Sequence, residues 1–397
     1  MKIESIRLRN FKAFRNAELR DVPNLCVLVG ANGSGKSTLF NVFGFLREAM
    51  TTNVTTALAK LGGGRGFQEV RSRLPEGDGN IEIELKFRVN TNSPLATYLL
   101  SIGERDGAPI VAREVLKYRR GSHGQPWHYL DFTAGRGEAV INELDAVNEE
   151  SELRREAHVL KSPDILAIKG LAQFEKFPAV KELGNLIENW HISDFHISKA
   201  RPEAEAGYAE HLSTEGENLA LVTQFLFQRH RDVFDTVCQK LAQRVPGIAK
   251  VDAKQTEEGR VLLRFTDGAF VDPFLARHVS DGTIKMFAYL VLLYDPNPHP
   301  LLCVEEPENQ LYPKLLWELA EELRAYAKRG GQVFVSTHSP DFLNATKLDE
   351  VFWLVKDGGA TAIRRAADDQ QIATYMRNGD QMGYLWKQGL FAGVDPQ

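Results

Sequence analysis

Cysteine is scarce in this chain: only Cys26, Cys238 and Cys303 occur in 397 residues, and no two form a Cys-x-x-Cys pair. That spacing points away from a disulfide framework. Cys26 and Cys303, set in apolar strand-like runs, read as small buried hydrophobes of a reducing compartment. No apolar run reaches the 18 or so residues of a membrane span. The start, MKIESIRLRN, alternates apolar and polar residues and lacks the apolar core of a signal peptide. The expectation is a soluble, cytoplasmic protein with no membrane partner. An excess of one charge is missing too: 48 Lys and Arg stand against 53 Asp and Glu, a formal net charge of −5. A surface for nucleic acid would therefore have to be a local basic patch. There are no internal repeats, and no sustained heptads that would build a long coiled-coil arm.

What is present is ordinary globular composition, 43% hydrophobic and 25% charged, arranged in clear periods. Residues 2–9 alternate as a half-buried strand, 17–20 suit its hairpin partner, and 25–29 are wholly apolar, as in a strand covered on both faces. Helical spacing follows over 36–48, with Leu39, Val42, Phe43 and Leu46 on one side. Residues 62–66 read as a flexible glycine stretch. Strands are expected at 81–89, 111–119 and 127–132, forming an antiparallel sheet. From 138 to 188 the pattern turns helical and charged, interrupted by Pro163 and Pro178. Beyond that, 218–244 reads as one long helix and 261–265 as a strand. Buried strands at 301–304, 333–336 and 351–355 alternate with helices at 283–293 and 312–329, the signature of an α/β sheet with parallel strands. The domain reading is an N-terminal lobe over 1–135, a mostly helical lid insertion over 136–215 and a C-terminal lobe over 216–397.

Three apolar strands end in chemistry. The first runs into Gly30-Ala31-Asn32-Gly33-Ser34-Gly35-Lys36-Ser37-Thr38, which fits G-x-x-x-x-G-K-[ST]. Glycines there let backbone N–H groups curl around phosphate oxygens, and the helix that follows adds its positive dipole end. Lys36 is expected on the β- and γ-phosphates of ATP and Ser37 on Mg²⁺. The second, Leu301–Val304, delivers Glu305, Glu306 and Glu308 to a sheet edge. Glu305 stands where an Asp is usual and is expected near Mg²⁺, while Glu306 suits a general base for water. The third, Val333–Ser336, leads to Thr337 and His338, and a histidine there can sense a γ-phosphate. Ser280-Asp281-Gly282-Thr283 opens an apolar helix, which is by itself a capping signal.

Together, in this order, these elements resemble the ABC-type ATPase heads of the RecF and SMC group, and within it the bacterial RecF-like ATPases related to the ATPase half of OLD-family proteins. The matching segments are LRNFKAFRNAEL, the phosphate loop, Gly216–Ala220, HVSDGT, CVEEPENQLYPK, VSTHSP and residues 389–396. The match covers both ends of the chain well and residues 71–201 poorly. The resemblance implies an ABC-type P-loop head of α/β class, with an antiparallel β subdomain and a mostly helical central insertion. It implies a homodimer joined through ATP, in which Ser280 and Gly282 of one copy close on the γ-phosphate held by the other. Asp281 departs from the transporter-like Gly. Gln68 stands where family members place a glutamine between Mg²⁺ and water, with a surface glutamine as the equal alternative. Phe11 and Phe14 are aromatic candidates beside the adenine, set against a core role. Arg277, His278 and Lys285 flank the signature, and their plainer reading is a solvated face.

Two constellations fall away. His191, Asp194 and His196 are poorly spaced for shared ligation, and the chain after Val355 offers no Asp-x-Asp element for a nuclease domain. The functional expectation is ATP binding and hydrolysis serving DNA repair or genome maintenance. Basic clusters at Arg65, Arg71 and Arg73, and at Arg113, Lys117, Arg119 and Arg120, are the candidate DNA contacts. The alternative is a regulatory ATPase of antiviral defence that controls a separately encoded effector. A transporter motor is disfavoured.

Overall fold

The computed structural model describes residues 2–73, 79–90, 92–120 and 124–392, which fall into two compact units. One holds the chain up to Trp190 together with Val351–Gln370 and the stretch from Phe391; the other holds His191–Glu350 and Gln371–Leu390.

The first unit opens with the hairpin β1 (Lys2–Phe11) and β2 (Phe14–Arg20), then β3 (Leu25–Val29), every residue of which is buried. Helix α1 (Lys36–Thr51) follows the glycine loop and buries Leu39, Val42, Phe43 and Leu46, the face its spacing requires. Next come α2 (Val54–Gly62) and α3 (Phe67–Val70). The strands β4 (Ile81–Arg88), β5 (Ala96–Arg105), β6 (Ala108–Tyr118), β7 (Trp127–Thr133), β8 (Arg136–Val140) and β9 (Arg155–Val159) complete an eight-stranded antiparallel sheet, ordered β2-β1-β4-β5-β6-β7-β8-β9. In β4, Ile81, Ile83, Leu85 and Phe87 are buried and their neighbours half-exposed, the period of two that a one-sided sheet demands. Two short helices, α4 (Ala167–Leu171) and α5 (Pro178–Glu188), precede Trp190.

The second unit begins with β10 (His191–Ser193), α6 (Ile197–Ala200) and β11 (Ala204–Glu205). Then follow α7 (Leu219–Arg229), α8 (Arg231–Arg244), β12 (Ile248–Gln255), β13 (Arg260–Asp267) and β14 (Phe274–Leu275). The expected single helix over 218–244 is two, because His230 takes a non-helical φ of −135° and ψ of 61°. Helix α9 (Asp281–Leu293) buries every residue from Thr283 onward, as suits a helix apolar all round. Strands β15 (Leu301–Glu305) and β16 (Gln332–Thr337), linked by α10 (Pro313–Lys328), run parallel, and β10 lies parallel on the far side of β15. The short α11 (Pro340–Asn344) follows.

At Val351 the chain returns to the first unit. There β17 (Val351–Asp357) pairs parallel with β3, Leu28 opposite Phe352, and antiparallel with β18 (Ala360–Arg365). Helices α12 (Gln370–Arg377) and α13 (Met382–Lys387) end the described chain, and α13 packs on α11 in the second unit. The compact units break at 190/191, and the first is discontinuous because β17 reaches back to β3. Within 136–215, β8 and β9 are strands where the sequence suggested helix. In β9 no side chain is buried, so backbone pairing with β8 holds it and no apolar period marks it. The glycine stretch at 62–66 ends α2 and forms a 3₁₀ turn, Gly63–Arg65. No helix of the described residues is long and apolar enough to cross a membrane.

Candidate functional site

In the first unit the loop between β3 and α1 is built as a cradle. Gly33 and Gly35 have φ of 76° and 106°, in the left-handed region where a side chain is strained. A Cβ on Gly30 would come 2.4 Å from Ser34 Oγ and 2.9 Å from the Leu354 carbonyl, so only glycine fits there. Lys36 is 5% exposed and its Nζ donates to the Gly30 carbonyl at 2.6 Å and the Ala31 carbonyl at 3.3 Å, holding the ammonium over the loop. Thr361 of β18 braces the loop from behind: its hydroxyl donates to the Ser34 carbonyl at 2.8 Å. Helix α1 starts at Gly35 with no side-chain cap and no acid in its first turn, which leaves its N–H groups and dipole for an anion. Ser34 Oγ is buried without a protein partner. Asn32 and Ser37 are exposed and Thr38 half-buried. These residues fit a polyphosphate.

In the second unit the ends of β15 and β16 gather acids around a histidine. Glu305 pairs in register with Ser336. Glu306 sits at φ +40°, a left-handed conformation that costs a non-glycine residue about 1 kcal/mol or more. It is pinned there by its N–H, which donates to the Ser336 carbonyl at 3.0 Å, and by Asn309 Nδ2, which donates to its carboxylate at 3.2 Å. His338 Nδ1 lies 3.4 Å from the Glu306 carboxylate and 3.5 Å from that of Glu308. Glu308, with a side chain 8% exposed, accepts from the Thr337 hydroxyl and from the His338 N–H, both at 2.8 Å. Sequence reasoning gave Glu308 no role. The signal available in the sequence was a third acid, directly after Pro307.

The Ser280–Thr283 segment forms the start of α9. Ser280 is exposed and caps the helix, accepting from the Thr283 N–H at 3.2 Å. Gly282 is tightly placed: a Cβ there would lie 3.0 Å from the Gln310 carbonyl, which would have to give by a few tenths of an ångström. Arg201 ion-pairs with Asp281 and donates to the Val279 carbonyl at 2.7 Å, fixing the approach to the helix. Lys285 departs from the expected solvated face: it is buried, donates to the Asn309 carbonyl at 2.8 Å, and burial lowers its pKa. With Asp194, His196, Arg201, Glu305, Glu306 and Gln310, this helix start lines one cavity of about 590 Å³.

Several expected residues lie elsewhere. Gln68, on α3, is exposed; it donates to Glu104 at 2.6 Å and accepts from Arg71 at 3.2 Å, so its carboxamide is held at the surface. Phe11 and Phe14 are completely buried, Phe11 packing edge-on to Phe45, which makes both core residues and not an adenine wall. Of the basic clusters, Arg65 and Arg73 pair with Glu69, and Arg113 with Asp131 at 3.0 Å. Arg277 is exposed and donates to His278 at 3.1 Å. The closing segment 389–396 falls partly outside the described residues.

Comparison with known proteins follows the same line. Residues matching over 181 positions are 25% identical to the DNA replication and repair protein RecF of Magnetococcus marinus, covering 43% of this chain and 47% of that protein. RecF of Paenarthrobacter aurescens is 29% identical over 140 residues, 33% of this chain and 34% of the relative. The chain thus spans less than half the length of these curated relatives. Among solved structures, an SMC head bound to the C-winged helix domain of ScpA aligns over 92% of this chain and 98% of its own, with a TM-score of 0.51 at 14% identity, which shows the fold. This is the fold of an ABC-type ATPase head. A family model described as "AAA domain, putative AbiEii toxin, Type IV TA system" matches residues 25–344, and the chain belongs to that family.

Proposed function

We propose that this protein binds ATP with Mg²⁺ and hydrolyses it, and that ATP joins two copies of the chain. The observation that carries the reading is Glu306, held at φ +40° with its carboxylate 3.4 Å from His338. Backbone strain kept at a strand end, beside a histidine and next to a second acid, is typical of a site where geometry serves chemistry. In this reading Gly30, Asn32, Gly33, Ser34, Gly35, Lys36, Ser37 and Thr38 hold the phosphates. The hydroxyl of Ser37 and the carboxylate of Glu305 are hard oxygen donors suited to Mg²⁺. The ion would neutralise phosphate charge. Gln68, engaged with Glu104, is left out of that set.

Glu306 takes a proton from water as the water oxygen bonds to the γ-phosphorus. The bond to the β–γ bridging oxygen breaks, and ADP and phosphate result. His338 hydrogen-bonds the γ-phosphate and registers its loss. Ser280, exposed at the start of α9, and Gly282 would close on the γ-phosphate of the second copy. The RecF relatives suggest work on DNA, in repair or genome maintenance. The second reading is a regulatory ATPase of antiviral defence that controls a separately encoded effector; the family description, which names a putative toxin of a Type IV TA system, is what keeps it in view.

Measurement of phosphate release by the purified chain tests the proposal, with Lys36→Ala and Glu306→Gln as comparators. Light scattering of Glu306→Gln with and without ATP, repeated with Ser280→Arg added, tests the closing of two copies. Native-rate hydrolysis by Glu306→Gln, or an ATP-dependent dimer unaffected by Ser280→Arg, would overturn the respective part. Salt-dependent DNA binding by the chain alone favours the first reading. Co-purification with the product of a neighbouring gene, without DNA binding, favours the second.

A further inference from the structure

A separate ionisable cluster lies in the second unit, outside the residues given roles above. His211, Asp295 and His299 each place one possible ligand atom within 4.8 Å of the other two. The Asp295 side chain is 4% exposed, and its Oδ2 lies 2.6 Å from His211 Nδ1. Its other oxygen accepts from the Asn297 N–H at 2.8 Å. The rings of His211 and His299 are 5.3 Å apart, and His191 of β10 stacks on His299 at 4.6 Å and 17°.

Two of the three residues sit on a loop built to be stiff. Asp295-Pro296-Asn297-Pro298-His299-Pro300 joins α9 to β15, and its alternating prolines fix φ at every second position. Tyr326 of α10 donates its hydroxyl to the His299 carbonyl at 2.7 Å, and the Gln332 N–H donates to the Pro300 carbonyl at 2.9 Å. On the other side, Asn218 Nδ2 donates to the His211 carbonyl at 2.9 Å. The backbone of both segments is therefore set before any ligand arrives, which lowers the entropic cost of binding.

A buried carboxylate favours a compensating cation. Two imidazoles with one carboxylate form a nitrogen-rich set that suits zinc-class ions and is short of the oxygens Mg²⁺ or Ca²⁺ requires. We propose that His211, Asp295 and His299 bind one zinc-class transition-metal ion, with water in the fourth position. Ligand atoms around tetrahedral zinc stand about 3.3 Å apart, from metal–ligand distances of about 2.0–2.1 Å. The His211 pair at 2.6 Å must open slightly, while all three ligand atoms already lie within 4.8 Å of one another. His211, the exposed member, supplies that movement by turning its ring. The bound ion staples the segment before α7 to the loop that feeds β15, the strand carrying Glu305 and Glu306.

The test uses the full chain after chelator treatment, titrated with Zn²⁺ against a chromophoric chelator and with Co²⁺ by visible absorption. One ion per chain and the intense bands of tetrahedral Co²⁺ are expected. His211→Ala and Asp295→Asn should each weaken Zn²⁺ binding on the order of 100-fold. Lys36→Ala should leave it unchanged, which separates this ion from the phosphate loop. His211 is exposed, so its variant keeps the fold, checked by thermal melting without metal. Absence of a tightly held ion, or equal Zn²⁺ affinity in His211→Ala, would overturn the proposal and leave an ordinary His–Asp hydrogen bond.

Discussion

The carboxylate of Glu308 receives the backbone N–H of His338 at 2.8 Å, so the last acid of one strand end fixes the main chain of the histidine at the next. The same oxygen takes the Thr337 hydroxyl at 2.8 Å. Two donors on one nearly buried carboxylate hold the turn after β16 in a single arrangement, since charge-assisted bonds of this kind are stronger than neutral ones. Glu308 is therefore a positioning residue in the proposed reaction.

Glu308→Ala should lower kcat for ATP about 10- to 100-fold, the range seen when supporting partners of a site are removed, with little change in KM. Both donors use one oxygen of Glu308, so Glu308→Gln can keep both bonds on its carbonyl and should recover much of the loss. Steady-state kinetics on the three proteins distinguishes this from a merely structural role, in which both variants would fail together and melt early. Equal kcat in all three would remove Glu308 from the mechanism.

Glu306 gives a prediction in which stability and activity move apart. Glycine is at ease at φ +40°, so Glu306→Gly relieves backbone strain of roughly 1 kcal/mol or more, less the lost hydrogen bond from Asn309. The variant should unfold at an equal or higher urea concentration than the parent. Its hydrolysis should fall about 10²- to 10⁴-fold through loss of the base. A less stable Glu306→Gly would show that the left-handed backbone is not a site of strain.

At the phosphate loop the tightest constraint is Gly30. The Leu354 carbonyl belongs to β17, which is pinned to β3, and so cannot retreat from a new Cβ at 2.9 Å. Gly30→Ala should lose nucleotide binding and also destabilise the first unit by about 1–3 kcal/mol, the usual cost of overpacking. Lys36→Ala should lose nucleotide binding with a smaller effect on stability. Fluorescent-nucleotide titration and chemical denaturation, run on both variants, check the contrast.

These residues also show what the sequence makes legible. The loop at Gly30–Thr38 and the acids after Val304 can be read because strand, turn chemistry and helix are local. All the information sits within about ten residues. The partners Thr361 and Arg201 cannot be read that way. Thr361 braces Ser34 from more than 300 positions away, and Arg201 reaches Asp281 across 80, through pairings that no local pattern encodes. Likewise β9 was hidden because an edge strand with exposed side chains carries no apolar alternation. Phe11 and Phe14 misled for the opposite reason: aromatic residues near a hairpin suit a ligand wall and a core alike, and only burial decides.

Glu114 should make the stability of the first unit depend on pH. It lies buried on β6, where it accepts the N–H groups of Ala167 and Ile168 at the start of α4 and the hydroxyl of Tyr98. Burial pushes its carboxyl up to about 7 from 4.5, and the two backbone N–H groups only partly offset this. A raised folded-state pKa means that the folded chain holds a proton which the unfolded chain has released between those two values. Stability is therefore highest below about 4.5 as far as this group is concerned, falls as pH rises toward 7, and levels off above. From pH 5.5 to pH 8 the loss amounts to about 2 kcal/mol. Glu114→Gln cannot ionise, and its carbonyl still accepts from α4, so it should remove that slope. Urea denaturation at the two pH values, for parent and variant, is the measurement. An identical pH dependence in both would mean that Glu114 is already ionised in the folded chain at pH 5.5.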